Sequence, residues 1–250
     1  MNNNRLLYRR GILQLAASGF FLSTAGIALR LVEQANGWQI LFYRSLALSI
    51  TILLILVFQK GSRVFDEFRK LDWNDCLLAV FLGTGFVTYV FALLYNTVAN
   101  ALFIFSFAPF LAAFLGWILL GERVAKRTWF AIGFAMAGLT VMVGSELAVS
   151  HYLGTLLALW IPIAYAASII AVRRSKRDDM LVALCLAGLV AGVLSAFFVT
   201  DYALTSRDLI ISLYLGIFQV GMGFTLVVLG SRHVPAAQVG LLALVEPILA

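Results

Sequence analysis

Runs of about 20 apolar residues recur along the whole chain, and each is long enough to cross a bilayer as a helix. Little else can be built from such runs. Hydrocarbon offers a backbone no hydrogen-bond partner, so each segment must satisfy its own N–H and C=O groups. Strands do not suit runs of this length. Charged residues make up 12% of the chain, about half of what a soluble domain carries, so there are too few to cover a water-facing surface. The class that follows is all-α: a polytopic transmembrane helix bundle. Nine helices are expected, at Ile12–Val32, Trp38–Phe58, Cys76–Tyr95, Val98–Leu120, Trp129–Gly144, Tyr152–Val172, Met180–Thr200, Leu209–Leu229 and from Pro235 onward. The first run is too long for the apolar core of a cleavable signal peptide.

The chain also repeats itself. Leu82-Gly83 returns as Leu215-Gly216, and Ala108-Pro109 as Glu246-Pro247. Internal repeats define the architecture, and here they divide the chain into residues 12–144, with helices 1–5, and 152–250, with helices 6–9. The second repeat reads as C-terminally incomplete, with nine helices of an expected ten. Five helices per repeat is an odd number, so the halves should lie inverted in the membrane, as in many secondary transporters that bind substrate near the midplane. Loop charge sets the orientation. With the N-terminus in the cytoplasm, fifteen of the eighteen basic residues fall on the cytoplasmic side, the bias expected of multi-pass helical membrane proteins. The remaining three are Arg30, Arg44 and Arg207. The basic excess thus belongs to short loops, and no nucleic-acid partner is implied.

Ionisable residues inside apolar runs mark function or pairing, because each costs a few kcal/mol there. Arg44 lies within the second helix. It could attract an anionic substrate group or clamp the helix structurally. Arg30, near a helix end, can reach the interface. Glu246 is the acidic residue deep in an apolar run. It could bind and release the proton that couples transport, or form an ion pair, for example with Arg44. Glu122 follows the fourth helix beside Arg123, Lys126 and Arg127, and could pair with them or cap the fifth helix. Pro109 and Pro247 each remove a helix hydrogen bond, which suits either a gate or a static bend. Thr84, Thr88 and Tyr95 share a face of the third helix, and Trp160 and Ser168 one of the sixth. Gln219 lies mid-helix, and Ser18, Ser23 and Thr24 dot the first helix. Of these, Arg44, Thr88, Tyr95, Trp160 and Gln219 are the candidate substrate-binding residues, although such polar groups also join helices by hydrogen bonds. The small-residue stripes Ala108, Ala112, Gly116 and Gly133, Ala137 read as close helix contacts. Cys76 and Cys185 read as buried free thiols. His151 and His233 fall in loops. No metal-ligand spacing, catalytic triad, zinc-protease run or phosphate loop occurs, so no metal, cofactor or enzymatic activity is expected.

Trp38, Phe42, Tyr43 and Arg44 in the second helix, Ala108-Pro109 followed by Leu119–Arg123 in the fourth, and Glu246-Pro247 in the ninth together resemble the EamA family of the drug/metabolite transporter superfamily. The resemblance covers almost the whole chain. It implies two repeats, cytoplasmic termini, an inner (plasma) membrane location, a central cavity, and alternating-access carriage of a small metabolite, amino acid or drug. The partners expected are the lipid bilayer and that solute, with the oligomeric state left open, a homodimer included. The rival reading is a non-transporting membrane partner or a truncated, inactive transporter fragment.

Overall fold

The computed structural model describes residues 2–143, 152–175 and 180–249. Gly144, His151, Lys176, Arg177 and Ala250 therefore lie outside the described residues. All regular structure among those residues is helical. The long elements are α1 (Asn2–Arg30), α2 (Gly37–Lys60), α3 (Trp73–Tyr95), α4 (Val98–Leu120), α5 (Lys126–Val143), α6 (Tyr152–Arg174), α7 (Leu181–Ala196), α8 (Ser206–Ser231) and α9 (Ala236–Leu249). A short helix, Val64–Arg69, follows α2. Six of the long elements, α1 to α4, α6 and α8, are long and apolar enough to span a membrane.

The differences from the sequence reading have local causes. α4 is two segments, Val98–Phe105 and Ala108–Leu120, because Pro109 gives no N–H to the carbonyl four residues earlier. α9 breaks in the same way, into Ala236–Ala243 and Val245–Leu249, around Glu246-Pro247. α7 is 16 residues long and stops at Ala196. Its expected last turn is a tight bend in which the Ser195 carbonyl accepts from both Phe198 and Val199 N–H, each at 3.0 Å. α8 contains a π-helical segment, Leu215–Met222. Cys76 is exposed, whereas Cys185 is buried as expected and donates to the Ser49 carbonyl at 3.5 Å.

Polar caps fix where the helices begin. Asn36 and Gln39 form a reciprocal capping box at the start of α2, with both bonds 2.9 Å. Asp72 and Asp75 do the same for α3, at 2.8 and 2.9 Å. In the second repeat Thr205 caps α8 through Asp208 N–H at 3.1 Å. Asp208, fully buried, then accepts three consecutive backbone N–H groups, from Glu33, Gln34 and Ala35, each at 3.0 Å. The turn between α1 and α2 is thereby tied to the start of α8. Gln39 adds bonds to the Asp201 and Ala203 carbonyls, at 2.8 and 3.0 Å.

These ties place the end of α1 and the start of α8 at one end of the bundle. Arg173, at the end of α6, meets Glu122 and the α8–α9 turn at the other end. α1 and α6 therefore run in opposite directions, and the two repeats are inverted. The helices do not group by repeat, however. α8 and α9 pack against α1, and α8 also packs against α2; symmetrically, α3 packs against α6 and α7, and α4 against α6. The bundle is two four-helix groups, α1-α2-α8-α9 and α3-α4-α6-α7, that meet where α2 crosses α7 and α4 crosses α9.

Close backbone approach makes the crossings. A Cβ on Gly83 would lie 2.8 Å from both the Ala187 carbonyl oxygen and Val190 Cβ. Its repeat counterpart Gly216 faces the Arg44 carbonyl and Ala47. Gly240 of α9 likewise sits on Pro109, where a Cβ would be 2.6 Å from Pro109 Cα. Lipid tails are as apolar as leucine, so helices associate by such packing and by hydrogen bonds more than by apolar burial. Gly83→Val is expected to destabilise the fold by about 1–3 kcal/mol. Gly133→Ala, at a site with nothing within 4 Å, should be neutral. Unfolding midpoints of the purified variants in detergent check both.

Candidate functional site

A cavity of about 40 Å³ lies between the two helix groups. α3 presents the stripe Leu82, Gly85, Phe86 and Tyr89 to it, one helical face at i, i+3, i+4 and i+7. α6 contributes Ile161, Ala164 and Tyr165, and α4 contributes Phe105, the last residue before its break. From the other group come Leu22, Arg44, Gln219, Phe224 and Glu246.

Arg44 and Glu246 are both buried, at 3% and 4% exposure. They share the cavity but form no ion pair with each other, which corrects the structural alternative read from the sequence. The Arg44 guanidinium instead lies over two rings, 5.6 Å from the Phe86 centroid and 5.9 Å from that of Tyr89. Such cation–π contacts supply about 2 kcal/mol each when desolvated. Glu246 Oε1 accepts a 2.7 Å hydrogen bond from the Tyr89 hydroxyl. That bond joins α3 to α9 and so links the two groups at the cavity itself. Gln219 sits in the π-helical segment, a form of backbone often found at functional sites. Its Nε2 donates to the Leu22 carbonyl at 3.5 Å, and its Oε1 is buried without a partner.

Of the candidate residues from the sequence, the structure thus brings Arg44, Gln219 and Glu246 together. Thr88, Tyr95 and Trp160 do not line the cavity. Thr84 and Thr88 lie off the cavity stripe of α3 and bond back to their own helix. Trp160 Nε1 donates to Thr84 Oγ1 at 3.1 Å, within the α3–α6 contact. Tyr95 is exposed and packs against Phe91. Ser18, Ser23, Thr24 and Ser168 likewise bond to carbonyls of their own helices. Tyr89 and Tyr165 were missed. Tyr89's place on the 82-85-86-89 stripe, which contains a glycine, was the available signal.

The two helix groups are also joined at both ends of the bundle. At the basic end, Gly121 adopts φ 66°, ends α4 and turns Glu122 back towards the bundle. Glu122 does not pair with Arg123, Lys126 or Arg127, nor cap α5, as the sequence reading had it. Its Oε1 accepts from Arg173 Nε at 2.6 Å, within an ion pair, and its Oε2 accepts from Ala236 N–H at 2.9 Å, capping α9. Arg173 Nη1 also donates to the Ser231 and Val234 carbonyls. This latch joins α4 and α6 of one group to the α8–α9 turn of the other. At the opposite end Trp38 packs between Phe91, at 4.3 Å, and Phe198, at 4.5 Å, between ring centroids. Pro109 and Pro247 lie at the two matched breaks, which put Phe105 and Glu246 at the cavity wall.

Comparison with known proteins agrees with this architecture. The family model described as the EamA-like transporter family matches residues 9–144 and again 152–250. A protein of known crystal structure is similar over 100% of this chain and 86% of its own, with a TM-score of 0.76 and 20% identity. At that identity the likeness concerns the fold alone. No curated protein matches. Matched twice along almost its whole length, and built of membrane-length apolar helices, this multi-pass membrane protein belongs to the EamA-like transporter family.

Proposed function

We propose that this chain is a secondary transporter, a permease that moves a small organic solute across the inner (plasma) membrane by alternating access. The solute is a metabolite, amino acid or drug bearing an anionic group. The observation that carries this reading is the cavity between the two helix groups, where the buried Arg44 guanidinium lies over two rings and the buried Glu246 bonds across the groups to Tyr89. An anionic group of the solute takes the Arg44 guanidinium, and a donor group takes Gln219 Oε1. Loop charge supports a cytoplasmic N-terminus, since Lys60, Arg63, Arg69, Lys70, Arg123, Lys126, Arg127, Arg173, Arg174 and Arg232 gather at one end.

The small volume of the cavity supports a closed state. Forty cubic ångströms hold only a few waters, at roughly 10–15 Å³ of such volume each. Loading therefore requires the groups to part at one end. Parting at the basic end breaks the Glu122–Arg173 latch. Parting at the other end separates Trp38 from Phe91. A proton taken up by Glu246 changes the Tyr89 bond that links the groups, which gives a route from ion movement to solute movement.

Flux in proteoliposomes tests the reading. Arg44→Gln should weaken binding of an anionic solute roughly ten- to a hundredfold, from about 1.5–3 kcal/mol for a lost charged hydrogen bond. Glu246→Gln should abolish the pH dependence of uptake, and unchanged dependence would sink the coupling role. Glu122→Gln should shift the closed state towards opening at the basic end by about tenfold. The readout is faster labelling of Ala164→Cys by an impermeant maleimide added on that side only.

A further inference from the structure

We propose that the bundle carries a phospholipid site on its outer surface, between α1 and α8, at the end away from the basic loops. A groove of about 390 Å³ lies there, lined by Thr24, Ile27 and Ala28 of α1 with Leu31 just after it, and by Ile210, Ile211 and Tyr214 of α8. The first wall has i, i+3, i+4 and i+7 spacing and the second i, i+1 and i+4, so each is one face of a helical path. Ile27 and Ile210 stay 60% and 65% exposed, so no other described part of the chain covers the groove. Its lining offers one hydroxyl at each side, on Thr24 and Tyr214, and Thr24 already donates to the Phe21 carbonyl at 2.8 Å. The groove thus suits an acyl chain.

Charge at the mouth identifies the other part of the ligand. Arg207 continues the α8 stripe one turn above Ile210 and Ile211. Arg30 ends α1, one turn above Ile27, is exposed, and has no ion-pair or hydrogen-bond partner among the described residues. Arg207 is half exposed and pairs through Nη1 with Glu33, while its planar fork has further N–H donors for a phosphate. Arginine is disfavoured in the loops at this end of a membrane protein, yet two flank the one groove. Glu33 and the buried Asp208, which is bonded to the same turn, balance the two charges in sum, but Arg30 has no acid partner among the described residues, and one phosphate supplies it. The occupant that fits is an anionic phospholipid such as phosphatidylglycerol, with one acyl chain along the groove and its phosphate between Arg30 and Arg207. This site is separate from the cavity and does not rest on the transport reading.

Native mass spectrometry of the purified full chain, titrated with phosphatidylglycerol or phosphatidylethanolamine, tests it. Wild type should retain one phosphatidylglycerol about tenfold better than phosphatidylethanolamine. Arg30→Ala combined with Arg207→Ala should lose that preference. Ile211→Trp, which fills the groove and keeps both arginines, should lose the retained lipid of either kind. Unchanged preference in the double variant overturns the proposal. So does unchanged retention in the groove-filled variant, or a second copy of the chain retained in place of lipid.

Discussion

A backbone polar group left without a partner in hydrocarbon costs several kcal/mol, and the interrupted places in this bundle are arranged around that cost. α4 and α9 break at matched prolines, and each break sits against protein: Pro109 lies under Gly240 of α9, and Val245 lies against Gly19 of α1. The turn after α1 gives its three N–H groups to Asp208. The α8–α9 turn gives its carbonyls to Arg173 and an N–H to Glu122. Charged side chains thus serve as the hydrogen-bond partners that water would supply elsewhere. The cavity follows from the same arrangement, because the breaks in α4 and α9 bring Phe105 and Glu246 to its wall.

The two repeats share a scaffold and differ in chemistry. Gly83 and Gly216 make equivalent close crossings, and Asp72 with Asp75 and Thr205 with Asp208 start equivalent helices. The cavity is nevertheless lopsided. Arg44, Gln219 and Glu246 all come from the α1-α2-α8-α9 group, whereas the facing group offers aromatic rings and Tyr89. The repeat position of Gln219 corresponds to Phe86 in the first copy, and the π-helical segment is found in the second. One group carries the charges and the other presents ring faces and a hydroxyl to them. That division makes their contact sensitive to whatever occupies the space between.

How far the sequence could be read follows from what each feature depends on. Helix positions were legible because they rest on local apolar length, and both proline breaks because they rest on one residue each. Arg44, Gln219 and Glu246 stood out as polar residues in apolar runs. The rings around them did not, since an aromatic residue in such a run is ordinary. Thr88 and Trp160 are polar in the same way, but they face a neighbouring helix, and that direction depends on which helices become neighbours. Glu122 was misread for the same reason. Its partners, Arg173 and Ala236, lie 51 and 114 residues away, while three basic residues stood beside it in sequence.

The regrouping of helices across the repeats bears on how the protein is made. α1 finds its packing partners in α8 and α9, α2 packs on α8 as well as α7, and α8 begins at Ser206. At synthesis rates of about 5–20 residues per second, roughly ten to forty seconds separate the appearance of α1 from that of its partner. During that interval the first repeat can complete neither four-helix group. Gly11 and Gly19, shaped for close contact with the α8–α9 turn and with Val245, face lipid or the insertion machinery while they wait. The nascent chain must therefore stay reversible in its early pairings, and a truncated product that ends before α8 would leave α1 and α2 without their proper neighbours.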